Sequence, residues 1–233
     1  MESLVELSVG RVVPPRSGEV QLWRASLDLD EAAAAVVCAS LSADEVVRAE
    51  RFVHEVDRRR FAVGRGWLRM LLGAYLDVAP AAVVVVRDER GKPRVGAGAS
   101  TDGGCLRFNL AHSGASIVVA AAWDREVGVD VELVRAVDVE AIARRSLSTR
   151  QHAALMQLPH GSRESAFFAT WTHNEAYLKG LGVGRDGGDH DVDGTPGWTV
   201  SAFDAGPGCA AAVAVEGGEL DVPLVARELT PHA

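Results

Sequence analysis

Residues 127–133 read Val-Gly-Val-Asp-Val-Glu-Leu, and so strict an alternation limits what the chain can fold into more than any other stretch. In an extended strand Val127, Val129, Val131 and Leu133 turn to one face and Gly128, Asp130 and Glu132 to the other. The valines need a core, and the two acids become neighbours. Their backbone positions are about 6.6 Å apart by strand rise, where at an effective dielectric near 20 two charges repel by roughly 2 to 3 kcal/mol. A bound cation turns that cost into a gain. Further on, residues 171–182 read WTHNEAYLKGLG, which places Glu175 and Lys179 four apart on one face of a helix. Taken singly, alternating acids are the solvated side of a strand, and a Glu/Lys pair at this spacing is a surface ion pair. Taken together, three carboxylates and an amine form a set suited to a hard divalent cation and a phosphate.

The remaining chain reads as an α/β mixture. Residues 20–28 form an early strand, and Ser42 with Glu45 makes a capping box opening a helix to about residue 55. A second helix is predicted over 58–76, where Phe61, Leu68, Leu71, Leu72 and Tyr75 make an apolar stripe. Arg58, Arg59, Arg65 and Arg69 fall between them, exposed or facing a ligand. Short apolar runs at 81–88 and 115–123, bounded by Pro, Gly and charge, read as buried strands. Ser148 with Gln151 caps a helix to about residue 158, Ser162 is the expected cap of the long helix carrying Glu175, and strands return at 197–203 and 209–215.

The 233 residues suffice for one large domain or two fused halves with a sizeable core. A net charge of −8 argues against nucleic acid or an anionic membrane as partner, although residues 48–69 are locally basic. Glu2 and Glu6 stand where a leader peptide has basic residues, and the apolar runs are too short to span a bilayer, so a cytoplasmic location is expected. Cys38, Cys105 and Cys209 are odd in number and widely spaced, and read as small buried hydrophobes without a redox role.

Four segments in order, RGKPR at 90–94, FNLAHSG at 108–114, VGVDVE at 127–132 and WTHNEAYLKGLG at 171–182, resemble the 4'-phosphopantetheinyl transferases, specifically the long single-chain, surfactin-type branch. The resemblance spans residues 42 to 182. It implies an α+β fold of two similar α/β halves in a pseudo-twofold relation, joined near residues 113 to 120, with the active site in the cleft between them. Residues 1–114 would form the half that contacts the coenzyme A adenosine and phosphates, and 115–233 the half with the metal site and catalytic helix. By the same resemblance Asp130, Glu132 and Glu175 match three ligands for Mg²⁺, or Mn²⁺ in its place, with Glu175 the candidate base. Lys179 and His112 match contacts to the coenzyme phosphates, and Lys92 a residue near the adenosine 3'-phosphate and adenine, with Arg48 and Arg60 joining it. The implied reaction moves the phosphopantetheine arm of coenzyme A onto a serine of an apo acyl or peptidyl carrier protein, by an enzyme expected to be a monomer.

Two positions depart from the family pattern. Asn174 stands where a lysine usually precedes the metal-binding glutamate, and Ala111 where a serine usually precedes the histidine. Asn174 offers only neutral hydrogen bonds, so either activity is reduced or a neighbour such as His173 compensates; with the three carboxylates and Lys179 present the enzyme is expected to remain active, the alternative being a coenzyme A-binding module without transfer. Ala111 is expected to weaken coenzyme affinity modestly. Other motif readings fail: GVGRDG at 182–187 follows a helix and not a strand, and DHDVDG at 189–194 has Val200 where a calcium loop needs Glu. The pair His112–Ser113 lacks a nucleophile elbow.

Overall fold

A computed structural model describes residues 12–96, 104–183, 197–217 and 224–230. In chain order it contains β1 (Val20–Ser26), α1 (Glu31–Cys38), α2 (Ala43–Glu50), α3 (Glu55–Leu76), β2 (Val85–Arg87), β3 (Pro93–Val95), β4 (Leu106–Ser113) and β5 (Ser116–Trp123). There follow β6 (Val127–Leu133), α4 (Val139–Ser146), α5 (Thr149–Met156), α6 (Arg163–Leu181), β7 (Trp198–Ala202), β8 (Cys209–Glu216) and β9 (Leu224–Leu229).

Two sheets lie at the centre. The first has the order β4-β5-β1-β9, with β1 antiparallel to β5 and parallel to β9. The second has the order β6-β8-β7 and is antiparallel throughout. Strand alternation then sorts the side chains into layers. Trp23, Ala25, Ile117, Val119 and Ala121 pack with Trp67, Leu68, Leu71 and Tyr75 of α3. Leu22, Val118 and Ala120 turn the other way and meet Val127, Val129, Val131, Val213 and Val215 of the second sheet. The far side of that sheet, through Ala212 and Ala214, is covered by Ala176 of α6. The order is therefore α3, first sheet, second sheet, α6, an α+β fold in which each half pairs a sheet with a long helix. The alternation of residues 127–133 is decisive, because the three valines close the core between the sheets and the acids are left on the α6 side.

Several expectations need correction. The division at residue 114 falls in the turn of the β4–β5 hairpin, whose ladder from Leu106↔Trp123 to Ser113↔Ser116 keeps both strands in the first sheet. The chain crosses to the second sheet over residues 124–126, and β9 returns to the first. The apolar run at 81–88 is not a buried strand: it splits into a 3-10 turn, Pro80–Ala82, and the short β2, which pairs with β3 and leaves Val84 and Val86 exposed. Arg69 faces neither solvent nor ligand. It is buried, ion-paired to Glu45, and donates to the Val83 carbonyl. Ser162 makes no side-chain cap, since α6 continues directly from a 3-10 turn, His160–Ser162. Cys105 is exposed, and Cys38 and Cys209 are half-buried. The capping boxes of Ser42/Glu45 and Ser148/Gln151 are both present. Among the described residues no helix is long and apolar enough to cross a membrane. Glu2, Glu6 and the 189–194 segment lie outside the described residues.

Candidate active site

The site is built where α6 crosses the face of β6 turned away from the core between the sheets. Helix and strand approach so closely that a Cβ on Gly128 would lie 2.0 Å from the Ala176 carbonyl oxygen and 2.2 Å from the Gly180 nitrogen. Ala176 and Gly180, four apart, supply the matching small face of the helix. The neighbouring face of α6 carries Glu175 and Lys179, so the contact that needs Gly128 also carries those two side chains to the acids of β6.

Asp130 is the centre of this arrangement. It is only 4% exposed, and its Oδ1 accepts a 2.5 Å hydrogen bond from Lys179 Nζ. Its Oδ2 is buried and has no hydrogen-bond partner. Burial pushes the Asp130 carboxyl up to about 6; Lys179 opposes the rise, and the charges of Glu132 and Glu175 add to it. Glu132 and Glu175 are thus both within electrostatic reach of Asp130.

Among the described residues no three His, Cys, Asp or Glu side chains are drawn into a ready cage for a metal ion. The donors nonetheless fit a hard cation of the Mg²⁺ type, which binds through one or two carboxylates and completes its shell with water and substrate phosphate. An orphaned, buried carboxylate oxygen is the kind of group such a cation satisfies. Asp130, Glu132 and Glu175 are the residues that would hold it.

β4 meets the free edge of β6 and orients it. Asn109, buried, accepts from the Val129 N–H at 3.0 Å through Oδ1. Ser113 Oγ accepts from the Leu133 N–H at 3.1 Å and donates to Glu132 Oε2 at 2.8 Å. Ser113 therefore fixes one of the three carboxylates. Both residues lie in the FNLAHSG segment, yet their role depends on strand β6 lying alongside, which no local pattern reveals. His112, on the opposite face of β4, keeps part of its surface exposed; partial burial and then Lys179 lower its pKa, against the pull of Glu132, with Arg60 and Asp57 of α3 also acting on it.

The basic residues divide. Arg60 forks onto Asp28, with Nε and Nη2 donating at 2.8 and 2.7 Å. The hydrogen bond from Arg60 holds Asp28 below the usual carboxylate range. Arg48 lies over the Phe61 ring, 5.3 Å from its centroid, and with Asp44, Val47, Arg51 and Phe52 lines a cavity of about 450 Å³. Lys92 departs from the expected coenzyme contact. It is 5% exposed, and its three N–H groups go to Glu126 Oε2 at 2.8 Å, the Val127 carbonyl at 3.0 Å and the Gly180 carbonyl at 2.7 Å. An ammonium has three donors, so none remains for a phosphate.

The two departures from the family pattern both have packing roles of their own. Asn174 is buried and exchanges a reciprocal pair of hydrogen bonds with Gln151 of α5, at 3.0 and 2.9 Å. Gln151 is also the capping-box residue of that helix. Asn174 accordingly locks α5 to α6 and has no call to neutralise substrate charge. We expect Asn174→Lys to lower stability by about 1 to 3 kcal/mol through the broken buried amide pair without raising kcat, measured by urea unfolding and carrier modification together. A faster enzyme of unchanged stability would contradict this. Ala111 lies in the apolar core between the sheets, so its missing hydroxyl is not a lost coenzyme contact.

Comparison with known proteins agrees with this architecture. Residues 23–124 match the model for the 4'-phosphopantetheinyl transferase N-terminal domain, and residues 126–211 that for the 4'-phosphopantetheinyl transferase superfamily. The boundary between the two coincides with the passage from the first sheet to the second. The chain is 38% identical to the 4'-phosphopantetheinyl transferase HetI of Nostoc sp., over 86% of this chain and 89% of that protein. It is 32% identical to the 4'-phosphopantetheinyl transferase psf-1 of Bacillus pumilus, over 62% of this chain and 59% of that protein. A putative 4'-phosphopantetheinyl transferase of Synechocystis sp. is 31% identical over 66% of this chain and 62% of its own length. With both halves matched and the acidic strand laid against the Glu/Lys helix, the chain belongs to the 4'-phosphopantetheinyl transferase family, in its two-domain form.

Proposed function

We propose that this transferase moves the 4'-phosphopantetheine arm of coenzyme A onto a serine of an apo acyl or peptidyl carrier protein, using Mg²⁺ or Mn²⁺ held by Asp130, Glu132 and Glu175. The observation that carries the reading is the buried Asp130, with one oxygen on Lys179 and the other unpartnered. When bound, the cation neutralises charge on the coenzyme diphosphate. Lys179, about one-third exposed, presents its ammonium to the same diphosphate. His112 contacts the coenzyme phosphates as a hydrogen-bond donor, and the lowering of its pKa, by partial burial and by Lys179, favours its uncharged form. Arg60 of α3, which acts on His112, and Arg48 of α2 bind toward the adenosine end.

The serine Oγ attacks the phosphorus that bears the pantetheine arm. A new P–O bond forms as the anhydride P–O bond breaks, the serine proton passes to Glu175, and adenosine 3',5'-bisphosphate leaves with the bonding pair. The bland alternative, a coenzyme-binding module, loses its motive once Asn174 is seen to serve packing. We further propose a cytoplasmic monomer, in keeping with candidate site residues that all come from one chain.

The test is to incubate the purified protein with coenzyme A, Mg²⁺ and a panel of apo carriers from fatty acid, polyketide and nonribosomal peptide assembly. The expected result is a mass gain of one phosphopantetheine on at least one carrier, abolished by chelator. Coenzyme A cleavage without any modified carrier would overturn the reading.

A further inference from the structure

The four carbonyls at the end of a helix have no partner within it, and how they are satisfied decides how firmly the last turn is held. In α6 that last turn carries Lys179. Gly182 adopts φ 69°, a left-handed conformation suited to glycine. It lets the Val183 N–H reach the Leu178 carbonyl at 3.1 Å and the Gly182 N–H reach the Lys179 carbonyl at 3.2 Å, the double bond of a Schellman end. Two carbonyls remain. Lys92 Nζ donates to that of Gly180 at 2.7 Å, and Arg90 Nη1 to that of Leu181 at 2.9 Å. Both donors come from the turn between β2 and β3, in the other half of the molecule. Both bring positive charge to the negative end of the helix dipole.

Lys92 also ties this helix end to the start of β6. Its other two donors hold the Val127 carbonyl and Glu126 Oε2, three or four residues before Asp130. Glu126 in turn accepts from Arg94 Nη1 at 2.5 Å. Burial works against the charge on Glu126, but the bonds from Lys92 and Arg94 outweigh it and keep its pKa low. One ammonium thus bridges the strand that carries Asp130 and Glu132 to the helix that carries Glu175 and Lys179.

We infer that Lys92, assisted by Arg90, is a positioning residue for the transfer reaction: the β2–β3 turn acts as a C-cap supplied by the opposite half, holding the last turn of α6 against β6. The inference rests on the function proposed above, but capping itself has a readout independent of activity. Replacement of Lys92 removes a constraint on where Lys179 and Glu175 sit relative to Asp130, without removing a contact to coenzyme A. Misplacement of this kind, by about 1 Å, costs on the order of a hundredfold in rate.

The experiment uses Lys92→Met, which keeps the stem and removes the three donors, and Arg90→Ala, which removes one donor from an exposed position and should fold in any case. Two quantities are read in the full-length protein: amide hydrogen exchange across residues 178–183 without substrates, and kcat and the coenzyme A KM on a modified carrier. Expected for Lys92→Met is faster exchange at the Gly182 and Val183 amides, a fall in kcat of about ten- to a hundredfold and an unchanged KM for coenzyme A. Arg90→Ala should show the same pattern, weaker. A raised KM with kcat and exchange unchanged would make Lys92 a coenzyme contact and overturn the inference. Unchanged exchange in both variants would overturn it as well. Should Lys92→Met fail to fold, the Arg90→Ala result decides. If the wild-type protein modifies no carrier, the function reading fails while the exchange result still stands or falls by itself.

Discussion

Asp130→Asn is expected to lower transfer to a carrier serine by about 10²- to 10³-fold and, at the same time, to make the cation-free protein more stable at neutral pH. The two effects have one cause. Asp130 is buried, and its pKa rises from 3.8 to about 6 even with Lys179 beside it. Its ionised form is therefore disfavoured in the folded state. A carboxyl raised in this way contributes stability that is complete below the unfolded value near 4 and is lost as the pH climbs through about 6. At 1.36 kcal/mol per pKa unit the loss is about 3 kcal/mol. Asn carries no charge to bury, so at pH 8 the variant should exceed the wild type by on the order of 1 to 3 kcal/mol, and near pH 4 the difference should vanish. Urea midpoints of both proteins from pH 4 to 8, in chelator, measure this directly. Added Mg²⁺ should then stabilise the wild type and leave the variant where it was. A variant that is less stable at pH 8 than the wild type would remove the basis for treating Asp130 as a site strained in wait for a cation.

Gly128→Ala should be among the most damaging single methyls at the described glycines. The new Cβ would fall 2.0 Å from the Ala176 carbonyl oxygen, 2.2 Å from the Gly180 nitrogen and 2.7 Å from the Gly180 Cα. These are backbone atoms of a packed helix, and no rotamer change can relieve them. Overpacking of this kind costs about 3 kcal/mol or more, which in a chain of this length lowers the melting temperature by roughly 6 to 12 °C. The only relief is for α6 to lift from β6, which draws Glu175 and Lys179 away from Asp130. Activity should therefore fall even at temperatures where the variant is fully folded. Calorimetry with a carrier-modification assay well below the transition checks both parts. A variant with the wild-type melting temperature would show that strand and helix are not in such close contact.

The legible parts of this protein were those whose signal is local. The alternation at 127–133, the two capping boxes and the Glu175/Lys179 spacing each concern residues within one turn or one strand, and each was observed. The failures share the opposite property. The valines at 81–88 have the composition of a buried strand, but they join only the short two-stranded ribbon with β3, which leaves Val84 and Val86 exposed. Arg69 has the helical phase of a solvated residue, yet Glu45, arriving from α2, draws it inside. Lys92 sits in a motif read for its charge, while its three acceptors lie 34, 35 and 88 residues further along the chain. Asn174 has the sequence position of a catalytic cation, but its partner is Gln151 of α5. Nor does any local feature of residues 224–229 say that they return to pair with β1.

The sequence by itself determined which residues are candidates for a cation and phosphate site, because two carboxylates on alternate strand positions share one face by the 2.0 residue period, and a Glu/Lys pair one helical turn apart shares one by the 3.6 residue period. Tertiary structure decided which charges are left for chemistry and which are used in holding the fold. That depends on burial and on partners from distant segments. Lys179 reaches Asp130 while retaining contact with solvent, whereas Lys92, of the same residue type, is enclosed with three acceptors and can act on the reaction only through the helix it caps.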